Sequence, residues 1–248
     1  MVFAVSLVVV LVPVVLAHAE GEDEATSTAP VAGDEITISD LGVEKTGILP
    51  TNPFYFIKEW GRGIQSLMTP DPVKKAEHEL KVANEKAAEL KRISENNPED
   101  LKSLERAISN YNKNIDRLRA RLEALKENSD NPKIDELLDR LTDRAVKHEQ
   151  LFEELKVRHE TLRDRLEQSQ GKLDEAVLKV PEKLDSPDKF KERVKNALEN
   201  QKESHLKELR AVQFLSRIDG KASSTEVRQK LLELTSDKLA SSTARKEI

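Results

Sequence analysis

The chain has 248 residues, 46 acidic and 41 basic side chains, a formal net charge of −5 and no cysteine. The lack of thiols excludes disulfides, thiolate metal sites and a lipidated cysteine. Beyond residue 40 the 41 basic groups meet 39 acidic ones, and such a mixed body offers no basic field to a nucleic acid, which is not expected as a partner.

The first element is the apolar run Val2 to Leu16, shorter than the roughly 20 residues of a membrane-spanning helix. Ala17-His18-Ala19 follows it with the small-x-small pattern of a secretory cleavage site. The expectation is a signal peptide over residues 1–19, cleaved after Ala19, and an exported chain that is periplasmic, extracellular or associated with the cell envelope. No Lys or Arg precedes the run, so either the start lies upstream or the segment is atypical; an uncleaved anchor is the alternative. Residues 20–40 carry seven acidic groups and no basic one, and with the Ala, Thr, Ser and Gly around them they read as a disordered linker, placed over 20–46. The alternation in "EITIS" (35–39) is too short to found a sheet.

Four of the nine aromatic residues then fall in one stretch, "GILPTNPFYFIKEW" (47–60): Phe54, Tyr55, Phe56 and Trp60. Asn52-Pro53 predicts a short helix to about Met68, with Phe56, Ile57, Trp60, Ile64 and Leu67 on one face and Lys58 largely outside it. Gly61 and Gly63 each lower helicity by about 1 kcal/mol relative to Ala, so contacts and not propensity would hold this helix. Burial of each aromatic side chain contributes about 1.5–3 kcal/mol and offsets that weakness. Pro50, Pro53, Phe54, Tyr55, Phe56, Lys58 and Trp60 are therefore expected to form a cap packed on the helices or a surface for a partner. A membrane anchor is the third option, with Trp and Phe in the interface and Lys58 and Arg62 at headgroups.

Helix starts are marked by proline after a capping residue, at Asp71-Pro72, Asn97-Pro98, Asn131-Pro132 and Ser186-Pro187 as at Asn52-Pro53. Asn, Asp or Ser accepts from the orphan N–H groups of the first turn, and proline gives up an N–H that has no partner there. Ser223 with Glu226 has capping-box spacing and suggests a sixth start. Between these marks run stripes spaced by three and four. They are Ala76, Leu80, Ala83, Ala87 and Leu90; then Leu101, Leu104, Ile108, Tyr111, Ile115, Leu118, Leu122 and Leu125; then a run from Ile134 through His148, Phe152, His159 and Leu166 to Val180. One unbroken helix from Pro132 to Val180 would be about 70 Å long, with a kink expected at Gly171. Stripes of this kind must pack on one another or on a second copy. The expected fold is all-α, an elongated bundle of antiparallel, coiled-coil-like helices over 47–220, followed by a C-terminal helix and polar tail over 221–248.

Residues 49–90 carry a resemblance. Leu49, Pro50, Pro53, Phe54, Tyr55 and Lys58, followed by Asp71, Pro72 and Ala76, resemble the opening of a prokaryotic domain-of-unknown-function family with the signature L-P-x-x-P-[FL]-Y-x-[FLI]-K and then D-P-x-x-[KR]-A. The resemblance implies an exported helical protein. It brings no activity and no catalytic residues.

Motifs of catalysis are missing from the sequence. The eight glycines form neither GxGxxG nor a P-loop, and none of the three His-Glu pairs extends to HExxH. Only His205 has a carboxylate, Glu208, at ligand spacing on its own helix, so no metal and no cofactor is expected. His148 and His159 lie in the predicted seam, where polar residues more often fix register than perform chemistry; protonating them near pH 6 is expected to loosen the packing. The interleaved Glu and Lys residues read as a solvated face with i,i+4 pairs. These features suggest a non-enzymatic extracytoplasmic helical scaffold or binding module, with a protein partner or self-association through the long helices. The alternatives are a membrane-surface protein anchored through residues 54–67 and a chaperone-like helical protein of the envelope.

Overall fold

Helix starts follow the proline punctuation, with two shifts. Asp71 accepts from the N–H groups of Val73 and Lys74, Asn131 from Lys133 and Ser186 from Lys189, each just before a proline. Asn97, in contrast, ends the preceding helix, its N–H donating to the Ile93 carbonyl, and the next start falls at Asp100, which accepts from the Ser103 N–H. The expected capping box at Ser223 sits one residue on: Ser224 accepts from Val227, while the Ser223 hydroxyl donates to Glu182 at 2.7 Å.

The structure, a computed structural model, describes residues 35–47, 49, 52, 70–126, 130–202 and 207–246, all within the unit Val31–Ile248. The expected signal peptide and the aromatic segment fall outside the described residues. Among the described residues the protein is all-α, without strands. The helices are α1 (Pro72–Asn96), α2 (Leu101–Glu123), α3 (Pro132–Arg158), α4 (Arg163–Lys179), α5 (Pro187–Glu199), α6 (Lys207–Lys221) and α7 (Thr225–Lys246). A 3₁₀ turn, Glu160–Leu162, joins α3 to α4, and a π-helical turn, Val180–Leu184, follows α4.

Two hairpins, α1–α2 and α3–α4, pack side by side into a four-helix bundle. Cross-links between helices give their directions. Arg140 reaches Glu77 and His159 reaches Ser94, so α3 runs parallel to α1. Arg165, Lys172 and Arg119 pair with Glu105, Asp116 and Glu175, so α4 runs parallel to α2. Helix α5 packs on α3 and α7, and α6 lies over α3 and α4 while pairing with α7. The core includes Tyr111, Phe152, Phe190 and Phe214, all fully buried, each contributing about 1.5–3 kcal/mol by removal from water. Val227, Leu231 and Leu234 join α7 to this same core.

Two expectations are corrected. The stripe from Ile134 to Val180 does not mark one helix kinked at Gly171. The chain turns at His159 to Leu162, and Gly171 lies inside α4, where an added Cβ would stand 3.1 Å from the Lys221 Nζ. Periodicity missed the turn because the 3₁₀ residues preserve the register, so both legs present their stripe to one core. The disordered linker does not extend to residue 46. Residues 35–47 form a strap in which Ile36, Leu41, Val43 and Thr46 are buried. Its middle is one helical turn closed by a Schellman motif: Gly42, at φ +76°, donates to the Ser39 carbonyl and Val43 to the Ile38 carbonyl. The acidic composition concealed four aliphatic residues, Ile36, Ile38, Leu41 and Val43, that pack into or against the core and, with the strap's ion pairs and main-chain bonds to the helices, oppose the entropy of ordering the segment.

Candidate functional site

The seam histidines lead to the polar interior. His148, on α3, is buried at 1% exposure, and its Nδ1 lies 3.0 Å from the Tyr111 hydroxyl of α2. Tyr111 also meets His148 and Phe152 edge-on, at centroid distances of 5.6 and 5.1 Å. Burial, with the positive charge of Arg144 nearby, pushes the His148 imidazole down to about 3. Burial likewise raises the Tyr111 phenol well above its ordinary range. His159, the C-cap of α3, places Nε2 2.7 Å from the Ser94 hydroxyl of α1, and burial lowers its pKa too. The native His148 imidazole therefore stays neutral at pH 6, and its expected charging at that pH is corrected: a dry site with one hydroxyl partner stabilises the neutral ring, and burial moves His159 in the same direction.

Around this pair lies a cluster that periodicity did not reveal. Asp174 of α4 is fully buried and accepts from Arg217 Nε at 2.7 Å and Nη2 at 2.9 Å, and from Lys221 Nζ at 2.9 Å. The third Arg217 nitrogen donates to Glu149 of α3, whose other oxygen accepts from Gln170 at 2.8 Å. The Arg217 guanidinium also stands 5.9 Å over the Phe214 ring. Burial, against the pull of Lys221, moves Asp174 up to about 6, and burial moves Arg217 down to about 10; both shifts leave the partners ionised at neutral pH, and the bidentate pair opposes them further. A second node is Arg193 of α5, which binds Asp185 at 2.7 Å together with Asp135 and Asp139 of α3. A third is Glu79, which accepts from Asn114 at 2.7 Å.

These carboxylates were expected on a solvated face. Glu149 and Asp174 occupy positions beside stripe residues His148 and Leu173, and such flanking positions become interior only when another layer, here α6, covers the bundle. The same layer brings the arginine that pairs with them. The reactive groups are thus directed at one another and sealed, and no group of His, Asp and Glu that could hold a metal occurs among the described residues. Nor is any helix among them long and apolar enough to cross a membrane. His205, the one histidine with a carboxylate at ligand spacing, lies outside the described residues, as do Pro50, Pro53, Phe54, Tyr55, Phe56, Lys58 and Trp60 of the aromatic surface.

The strap makes a further polar constellation. Glu35 pairs with Lys91 of α1 at 3.1 Å and Arg158 of α3 at 2.7 Å. The Ile36 N–H donates to Glu154 at 2.9 Å, Arg144 donates to the Asp40 carbonyl, and Lys202 reaches the Asp40 carboxylate at 2.7 Å. Burial raises Glu154 to about 7 against the pull of the Ile36 N–H and Lys91, and one of its oxygens is buried without a partner.

No curated protein and no solved structure shows a significant match to the chain. A family model does match, over residues 47–213, from the glycine that ends the strap to the middle of α6. That span is well over half of the chain, which therefore belongs to the family described as Domain of unknown function (DUF5667).

Proposed function

We propose that the protein is a non-enzymatic, extracytoplasmic helical binding module of the cell envelope that engages a protein partner. The observation that carries this reading is the fate of the perturbed titratable groups. In enzymes such groups line a cleft and face substrate. Here Tyr111, His148 and Asp174 are buried and turned toward one another or toward Arg217, an arrangement that orients helices and fixes their register. The apolar run and the small-x-small site at its end support export, and the absence of cysteine suits a chain that holds itself together by packing alone.

The test is photo-crosslinking in the living cell with a photoreactive aromatic in place of Trp60, combined with fractionation and N-terminal sequencing of the mature chain. The expected outcome is an envelope-fraction adduct with one discrete protein and a mature chain beginning at Glu20. Adducts confined to the chain's own helices, with recovery of the chain in the cytosol, would overturn the reading. Adducts with lipid would replace it with the membrane-surface alternative.

A further inference from the structure

The strap is held as a peptide ligand is held. Its main chain is read at two points, the Ile36 N–H by Glu154 and the Asp40 carbonyl by Arg144. Its acids are read by cations on the helices, Glu35 by Lys91 and Arg158, and Asp40 by Lys202. Its aliphatic side chains Ile36, Leu41 and Val43 are buried at 3, 0 and 7% exposure, while Thr37 and Ser39 between them face solvent. At Gly42 the backbone has φ +76°, and an added Cβ would lie 2.9 Å from the Arg144 guanidinium. Position 42 therefore admits glycine alone without displacing the arginine.

The direction of the strap is also defined. Residue 35 lies by Lys91 and Arg158, residue 40 by Arg144, and residues 42–45 by Lys81 and Glu85. The strap runs antiparallel to both α1 and α3, along the groove between these two parallel helices. Every groove residue that reads it lies within the span matched by the family, 47–213, whereas residues 35–46 lie outside that span. Groove and occupant are thus separable parts of the chain.

We propose that the α1–α3 groove is a recognition site for a short segment, folded through one helical turn, with acids at its first and sixth positions, an aliphatic residue at its second and Leu-Gly-Val at its seventh to ninth. Residues 35–43 fill it in cis, and its partner is the same segment of a second copy of this chain. The groove's cations and main-chain contacts are identical whether the strap arrives in cis or in trans, which is the physical basis of segment exchange between protomers. Such recognition deepens the binding-module reading and rests on it, but it is measured with purified chains, so its failure leaves the in-cell crosslinking result standing.

The experiment uses the full chain with Gly42→Val, which puts a β-branched residue at a positive φ and against the Arg144 guanidinium to release the strap, and a fluorescent peptide of residues 35–47 as probe. The expected result is saturable anisotropy at least tenfold tighter for Gly42→Val than for wild type, weakened at least tenfold by adding Lys91→Ala and Arg158→Ala. Tagged Gly42→Val chain should also retain an untagged Lys91→Ala/Arg158→Ala chain, whose strap is intact and whose own groove is weakened, and should not retain untagged Gly42→Val chain. Ile36→Asp provides a second way of releasing the strap, with hydrogen exchange at residue 36 and helical circular dichroism recorded for both variants. A released strap with native helicity and no saturable peptide binding overturns the proposal. So does a strap that stays protected in both variants, or helical content lost together with the strap. Peptide binding by chains that never retain one another removes the second copy as the partner.

Discussion

His148→Gln isolates the contribution of one buried imidazole to stability. Native His148 is held neutral down to about pH 3, whereas in the unfolded chain it titrates near 6.5. A depressed native pKa means that the unfolded state binds the proton first. The stability it supports is complete above pH 6.5 and is lost as pH falls from 6.5 toward 3, at about 1.4 kcal/mol per pH unit. Between pH 7.5 and 5.0 the loss from this residue alone is about 2 kcal/mol. Glutamine keeps a partner for the Tyr111 hydroxyl but does not titrate, so the difference between wild type and variant carries the effect while Glu154 and Asp174, whose slopes have the opposite sign, cancel. Urea unfolding at the two pH values is the assay. With a slope of about 2 kcal/mol/M for a chain of this size, the wild-type midpoint should fall by about 1 M relative to that of the variant. A wild-type-minus-variant difference that changes by less than about 0.5 kcal/mol between the two pH values would refute a neutral, sealed His148.

Three further outcomes are expected. Arg217→Leu leaves the Asp174 and Glu149 carboxylates buried without their shared cation, and should destabilise by about 3–5 kcal/mol at pH 7.5 in denaturant unfolding; the deficit should narrow on acidification toward pH 4, as Asp174 takes up a proton. Glu154→Gln should stabilise, because burial raises the native carboxyl to about 7 from 4.5 and the charged form opposes folding above that range. The gain approaches about 3 kcal/mol at pH 7.5, declines through the window from 7 to 4.5 and vanishes below it, as paired melts across that window would show. Asp71→Ala removes the acceptor for the Val73 and Lys74 N–H groups at the start of α1 and should cost about 1 kcal/mol by the same unfolding assay.

Much of the site was half legible. His148 and His159 stood out as polar residues in an apolar stripe, and Tyr111, the partner of His148, lies in the stripe of α2 at the matching level. Their lowered pKa values could not be read, because these depend on dehydration by the surrounding helices. Glu149, Asp174 and Arg217 resemble any of the many charged residues of the chain. Their burial arises from α6 lying across α3 and α4, a contact between residues 43 and 68 positions apart. The strap was missed for a different reason: charge counting averages over its aliphatic residues, and the cations that neutralise Glu35 and Asp40 lie 56 to 162 positions away.

The sequence by itself determined what is local. Proline after a capping residue set the starts at Pro72, Pro132 and Pro187, since capping is decided within four residues. Spacings of three and four set the buried faces, and every residue of the α2 stripe but Leu101, which is 40% exposed, is in the core. Tertiary structure decided what depends on distant partners: where a continuous stripe folds back, which helices run parallel, which carboxylates become interior, and what fills the groove between α1 and α3. Periodicity records which side of a helix is apolar, and that side is the same whether the next turn continues the helix or reverses it. Burial of a charge records something else, the arrival of a counter-charge from elsewhere in the chain.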